Sequence, residues 1–176
     1  MIKDIKVDYV EDDITNFFKR KLEGYVSNSA IFYDKTQTMI GDYFGTTNIL
    51  PYADNEMFTY LDRIKNKTEE VSSILLDYHY VHLLDYGSGS CPLDNKGGKM
   101  LAHNHAFIED YTSLLYLNDC DDGATFFINE GEECEILPEK NKLVAYPAHL
   151  DHGSRYTISK KIVVFGFHFK YRFILT

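Results

Sequence analysis

The sequence predicts an α+β fold, with two helices followed by short antiparallel strands closed into a barrel or jelly roll. Three observations carry this expectation. Apolar residues recur at helical spacing in the first part of the chain and alternate after about residue 78. Gly-rich and acidic turn segments then interrupt the chain at short intervals. The chain has 176 residues, 44% hydrophobic and 26% charged, which suits one domain with a real core and excludes a disordered polymer. The expected organisation is a single domain over 1–176, with 1–77 as helical support and flanking strands and 78–176 as the jelly-roll core.

Residues 4–10, DIKVDYV, alternate as a strand does. Asp12 or Asp13 is placed to cap the first helix, whose Phe17, Phe18, Leu22 and Tyr25 share a face and whose Lys19, Arg20 and Lys21 follow the acids. Residues 30–50 hold aromatic segments broken by Gly41 and Gly45, read as strands or loops. The segment 55–78 carries Met57, Leu61, Ile64, Val71, Ile74 and Leu75 as one apolar stripe, so a long packing helix is expected. Beyond it YHYVHLLDY, MLAHNHAF, DYTSLLYLN, TFFIN, CEILP, KLVAYPA and KIVVFGFHFKYRFIL read as strands, the last as one long strand or a pair. The Gly87–Lys99 stretch is a candidate lid loop.

A formal charge of −9 argues against a duplex-DNA partner, which needs a basic face. No apolar run approaches the ~20 residues that cross a bilayer. The start, MIKDIKVDYVEDD, is too polar and acidic for a signal peptide. Cys91, Cys120 and Cys134 are odd in number and lack CxxC spacing, so they read as reduced thiols in a cytosolic protein. Oligomeric state is not legible.

All seven histidines lie beyond residue 78: His79, His82, His103, His105, His149, His152 and His168. His103-Asn104-His105 is an H-x-H in a strand-like segment, and residues two apart on a strand share a face. His152 follows a second strand. A close pair and a distant third, both beside barrel strands, make a metal site at a barrel mouth. A lone histidine is more often a surface or core residue. On that basis His79 and His82, three apart, are read as structural, His149 as lining the mouth or exposed, and His168 as facing out.

The run from about 78 to 170 resembles the core of the 2-oxoglutarate/Fe(II)-dependent dioxygenases, in their prolyl-hydroxylase-like branch. The resemblance rests on Tyr86-Gly87, His103-Asn104-His105, Tyr116-Leu117-Asn118, Gly123-Ala124-Thr125-Phe126-Phe127, Tyr146-Pro147, His152 and Lys161, in that order. It implies a double-stranded β-helix (jelly-roll) barrel supported by N-terminal helices. It also implies Fe(II), 2-oxoglutarate and O2 as cofactor and co-substrates. The implied reaction hydroxylates an amino-acid or peptidyl, even prolyl, substrate, with release of succinate and CO2.

In that family a carboxylate ligand sits where this chain has His105. Three arrangements then stand open: His105 as third ligand beside His103 and His152, Glu109 or Asp110 in the carboxylate's place, or water filling the gap. The resemblance places Lys161, with Lys160 as the register alternative, on the far carboxylate of 2-oxoglutarate, and the hydroxyls of Tyr116 and Tyr86 against the same molecule. Lys offers a point charge where the family usually has the fork of Arg. Arg155, three beyond His152, is open to substrate or to solvent. Asp119, Asp121, Asp122, Glu130, Glu132, Glu133 and Glu135 form an acidic run with no Lys or Arg between them. It reads as a solvated hairpin or as a field that steers a cationic substrate. The competing reading is a metal-dependent cupin, enzyme or binding protein, using His103, His105, Glu109 and His152 without 2-oxoglutarate. Against it, the glycines cupins usually place after Glu109 and before His152 are absent. A third class is a non-catalytic binding module on a barrel scaffold.

Overall fold

The computed structural model describes residues 2–27, 34–38, 41–45, 48–86, 99–156 and 162–173. Strand β1 (Lys6–Tyr9) precedes helix α1 (Asp12–Ser27). The strand pair β2 (Asp34–Thr38) and β3 (Gly41–Gly45) follows, then a 3-10 turn, Leu50–Tyr52, and helix α2 (Asn55–Ser72). Eight strands complete the order: β4 (Leu76–Tyr86), β5 (Lys99–His103), β6 (Tyr111–Tyr116), β7 (Thr125–Asn129), β8 (Glu132–Ile136), β9 (Lys142–Pro147), β10 (Asp151–Ser154) and β11 (Ile162–Tyr171).

These strands form the double-stranded β-helix, or jelly roll. The ladder runs β1-β9-β6-β11-β4-β3-β5-β10-β7-β8, with β2 off β3, and every pairing is antiparallel. One wall is β9-β6-β11-β4 and the other is β5-β10-β7-β8, with β3 bridging β4 and β5. The two walls share an apolar interior in which Leu114, Val144 and Val164 of the first pack with Met100, Phe127 and Ile136 of the second.

The first wall packs on its outer face as well. Phe165, Phe167 and Phe169 of β11 join Leu115 of β6 and Leu143 of β9 in a second core with Phe17 and Phe18 of α1 and Met57, Leu61 and Ile64 of α2. Phe18 touches Phe165, with ring centroids 4.8 Å apart. Each such ring removed from water stabilises the fold by roughly 1.5–3 kcal/mol. The helices are therefore a cover for the barrel's outer face. Their own propensity is secondary.

Helix α2 starts where Asp54 accepts a hydrogen bond from the Met57 N–H (2.8 Å). Its buried stripe is Met57, Leu61, Ile64 and Thr68. It stops at Ser72, short of the expected run to residue 78, because Ser73 turns into the left-handed region (φ 59°) and donates its N–H to Glu69. Ile74 and Leu75 continue the helical spacing but lie past that turn, and Leu76 already belongs to β4. Asp12 and Asp13 lie inside the first turn of α1. The terminal segment is one strand, β11. The eighth strand is instead Asp151–Ser154, a segment too short to register as alternation. The acidic hairpin β7–β8 turns through Glu130 (φ 51°) and Gly131 (φ 85°), the left-handed pair a two-residue hairpin requires.

Candidate metal and substrate site

His103 is the last residue of β5, and His152 stands opposite it in β10. The close approach of these strands depends on Gly153. A Cβ there would lie 2.4 Å from the Met100 carbonyl oxygen and 2.6 Å from Phe126 Cζ. His105 is not on the strand. It lies past the end of β5, where its N–H donates to the Ala148 carbonyl (2.9 Å) and its own carbonyl accepts from Ile108 (2.8 Å) and Glu109 (3.1 Å). The shared face expected from the H-x-H spacing is thus made by a turn, tethered to the segment before β10. Asn104, between the two histidines, donates to Asp151 Oδ1 (2.7 Å) and ties the same two segments.

The three imidazoles converge. Ring centroids are 4.5 Å apart for His103 and His152, 4.9 Å for His103 and His105, and 5.2 Å for His105 and His152. One nitrogen from each ring lies within 4.8 Å of the other two, a set able to hold a metal ion. The Nδ1 atoms of His103 and His152 face the carbonyls of Leu101 (2.9 Å) and Leu150 (3.0 Å). In the tautomer that donates there, each leaves Nε2 as a lone-pair donor. Burial drives His152 well below its ordinary pKa and pushes His105 down to about 4, with Glu109 opposing the latter. Both are therefore neutral near pH 7, the form that binds metals.

The histidines open on a cavity of about 240 Å³. Met100, Leu114 and Val164 supply apolar walls, and Tyr80, His82 and His168 form a polar one. His168 faces inward, contrary to the outward position expected from its alternation with Phe167 and Phe169. On β11 the phenylalanines take the helix-covered face, which leaves the cavity face to Val164 and His168. His168 is 5% exposed, stacks on Tyr80 (centroids 3.9 Å apart) and is held at a pKa of about 3 by burial first, then by the charges of His79 and His103. His82 also lines the cavity, its pKa pushed down to about 4 by burial and His168. Alternation along β11 separates His168 from the three phenylalanines, but which face turns inward is decided by the helices that cover the phenylalanines. His149 is exposed.

Glu109 is buried and does not belong to the converging set. Its Oε1 accepts from the Thr112 hydroxyl (2.8 Å) and stands 3.7 Å from His105 Nδ1. Its Oε2 lies 2.6 Å from His168 Nδ1, though neither atom is aligned for a hydrogen bond. Burial raises the Glu109 carboxyl, opposed by His105 and by hydrogen bonds from Thr112 and Tyr80. Tyr116 lies in the barrel interior with its hydroxyl 2.5 Å from that of Thr125, which lines the cavity; burial pushes its pKa up. Arg155 sits over the Phe126 ring and pairs with Glu133 and Glu135 (2.6 Å to the latter), so the acidic hairpin carries its own counter-charge. Lys160, Lys161 and the candidate lid 87–98 lie outside the described residues, as does Cys91. Tyr86 is described in its backbone alone, opposite Ile162. Cys120 and Cys134 are in no disulfide, and the Cys120 thiol donates to Asp122 Oδ1 (3.1 Å).

No family model matches the sequence, and no curated protein matches it. Solved structures do. A prolyl-4-hydroxylase from Pseudomonas putida superposes with a TM-score of 0.71 at 14% identity, over 95% of this chain and 92% of the other. The fold is that of the prolyl hydroxylases. The non-heme α-ketoglutarate-dependent epimerase SnoN from nogalamycin biosynthesis superposes on this chain with a TM-score of 0.74 at 10% identity, over 95% of this chain and 78% of its own. HygX from Streptomyces hygroscopicus, solved with nickel, 2-oxoglutarate and hygromycin B, matches at 0.65 and 14%, over 97% and 84%. Among the described residues no helix is long and apolar enough to cross a membrane.

Proposed function

We propose that this chain is an Fe(II)- and 2-oxoglutarate-dependent dioxygenase that hydroxylates an amino-acid or peptidyl substrate, prolyl substrates included. The observation that carries the reading is the convergence of His103, His105 and His152 at the cavity of a prolyl-hydroxylase fold. The donor chemistry fits: three imidazoles, two of them with Nδ1 against a backbone carbonyl, suit a divalent first-row metal. His103, His105 and His152 would hold the iron. Bound iron supplies the activation of O2 and the oxidative decarboxylation of 2-oxoglutarate to succinate and CO2, chemistry that side chains lack.

The chain's own residues do the rest. Leu101 and Leu150 fix the rings of His103 and His152. Met100, Leu114 and Val164 keep the cavity dry, which strengthens every polar contact within it. Tyr80, His82 and His168 present hydrogen-bonding groups to whatever fills it. Lys161, one residue before β11, is assigned to the far carboxylate of 2-oxoglutarate. Tyr86 is assigned to the same ligand, and Tyr116 reaches it by way of Thr125. The likeness to a prolyl-4-hydroxylase supports the substrate class.

The test is anaerobic addition of 2-oxoglutarate to the Fe(II)-loaded protein, followed by admission of air. A visible charge-transfer band and then succinate are expected. A colourless mixture that yields no succinate with amino acids or peptides overturns the proposal.

A further inference from the structure

We propose that Glu109 is the positioning carboxylate of the three-histidine site, acting through His105. The proposal rests on the reading of His103, His105 and His152 as metal ligands, and goes beyond it in assigning the group that orients the third of them.

The three histidines are not supported alike. His103 and His152 each face the carbonyl two residues earlier with Nδ1. Among the described residues, His105 Nδ1 has no carbonyl partner, and the acceptor beside it is Glu109 Oε1 at 3.7 Å. The turn that carries His105 also delivers this carboxylate, since the Glu109 N–H closes back on the His105 carbonyl. Glu109 is 1% exposed, and burying a carboxylate is costly unless it is paired and hydrogen-bonded. Its position is set by the Thr112 hydroxyl, which donates to Oε1, and Oε2 lies against His168 Nδ1 at 2.6 Å.

Three neutral imidazoles bring no negative charge to a divalent ion. A carboxylate behind one of them orients the ring, fixes its tautomer and makes it a stronger donor. Glu109 thus supplies from behind His105 the charge that the ligand set lacks. It also joins the metal side of the cavity to its polar wall at His168.

The experiment is an anaerobic Co(II) titration of the full chain, read by the visible ligand-field bands and by metal bound per chain. Glu109→Gln is expected to keep one-to-one binding but weaken it about 10–100-fold, with shifted bands and an intact thermal transition. Unchanged affinity and bands overturn the proposal. So does loss of binding as complete as in His152→Ala, which makes Glu109 a ligand itself. Should Glu109→Gln fail to fold, Thr112→Val releases the carboxylate from its hydroxyl donor. A shift of the ligand-field bands away from those of the unaltered chain is then expected, and unchanged bands overturn the proposal. If the unaltered chain binds no Co(II), the metal reading itself falls, an outcome distinct from the others.

Discussion

His152 faces His103 across the β5–β10 ladder with their ring centroids 4.5 Å apart, so two residues 49 positions apart in sequence meet as cross-strand neighbours. The pairing ties the proposed metal site to the register of two short strands.

His152→Ala is expected to abolish binding of Co(II) or Fe(II), measured as metal per chain after anaerobic loading and desalting. His149→Ala, three residues away and exposed, serves as the control and is expected to bind as the unaltered chain does. Equal metal content in the two variants would count against the three-histidine site.

Gly153→Ala tests the approach of the strands. The added methyl meets the Met100 carbonyl oxygen, which is backbone and yields little. Overpacking of this kind costs roughly 1–3 kcal/mol, read as a lower urea midpoint. The separation of β5 from β10 is also expected to weaken metal binding. A variant with the original midpoint and affinity would show that the ladder absorbs the methyl without moving its histidines.

Asp54→Asn addresses acid stability. The Met57 N–H, then Lys21, hold the Asp54 carboxyl below its usual value of 3.8. A carboxyl depressed in the folded chain stabilises it fully above the unfolded value, and that contribution is lost as pH falls through the folded one. Asn keeps the helix cap without titrating. The variant keeps the cap but loses the charge that Lys21 pairs with, so it is expected to be somewhat less stable than the unaltered chain at pH 7 and to lose less stability between pH 5 and pH 2. Parallel urea midpoints across that window would remove Asp54 from the acid-labile set.

The architecture was legible because the signals for it are local. The short apolar runs in YTSLLY and KLVAYP and the stripe Met57, Leu61, Ile64 each report a neighbourhood of a few residues. The convergence of His103, His105 and His152 was legible because two of the three are adjacent in sequence. What was not legible depended on distant partners. The end of α2 is set by Ser73 in a conformation that spacing does not encode. The inward face of His168 follows from the helices claiming Phe165, Phe167 and Phe169. Alternation alone names two faces without saying which is inside. Strand β10 exists because β5 and β7 flank it, and its four residues carry no pattern of their own.

Strand β11 has helix on one side and cavity on the other. Phe165 and Phe167 rest on Phe18, while Val164 and His168, on the same strand, line the cavity. Helix α1 therefore works as a shim behind the polar wall of the pocket. A change of volume at Phe18 presses on the same strand that carries His168, because a close-packed core passes strain to its neighbours. The shape of the cavity is in this sense adjustable from a helix that does not line it.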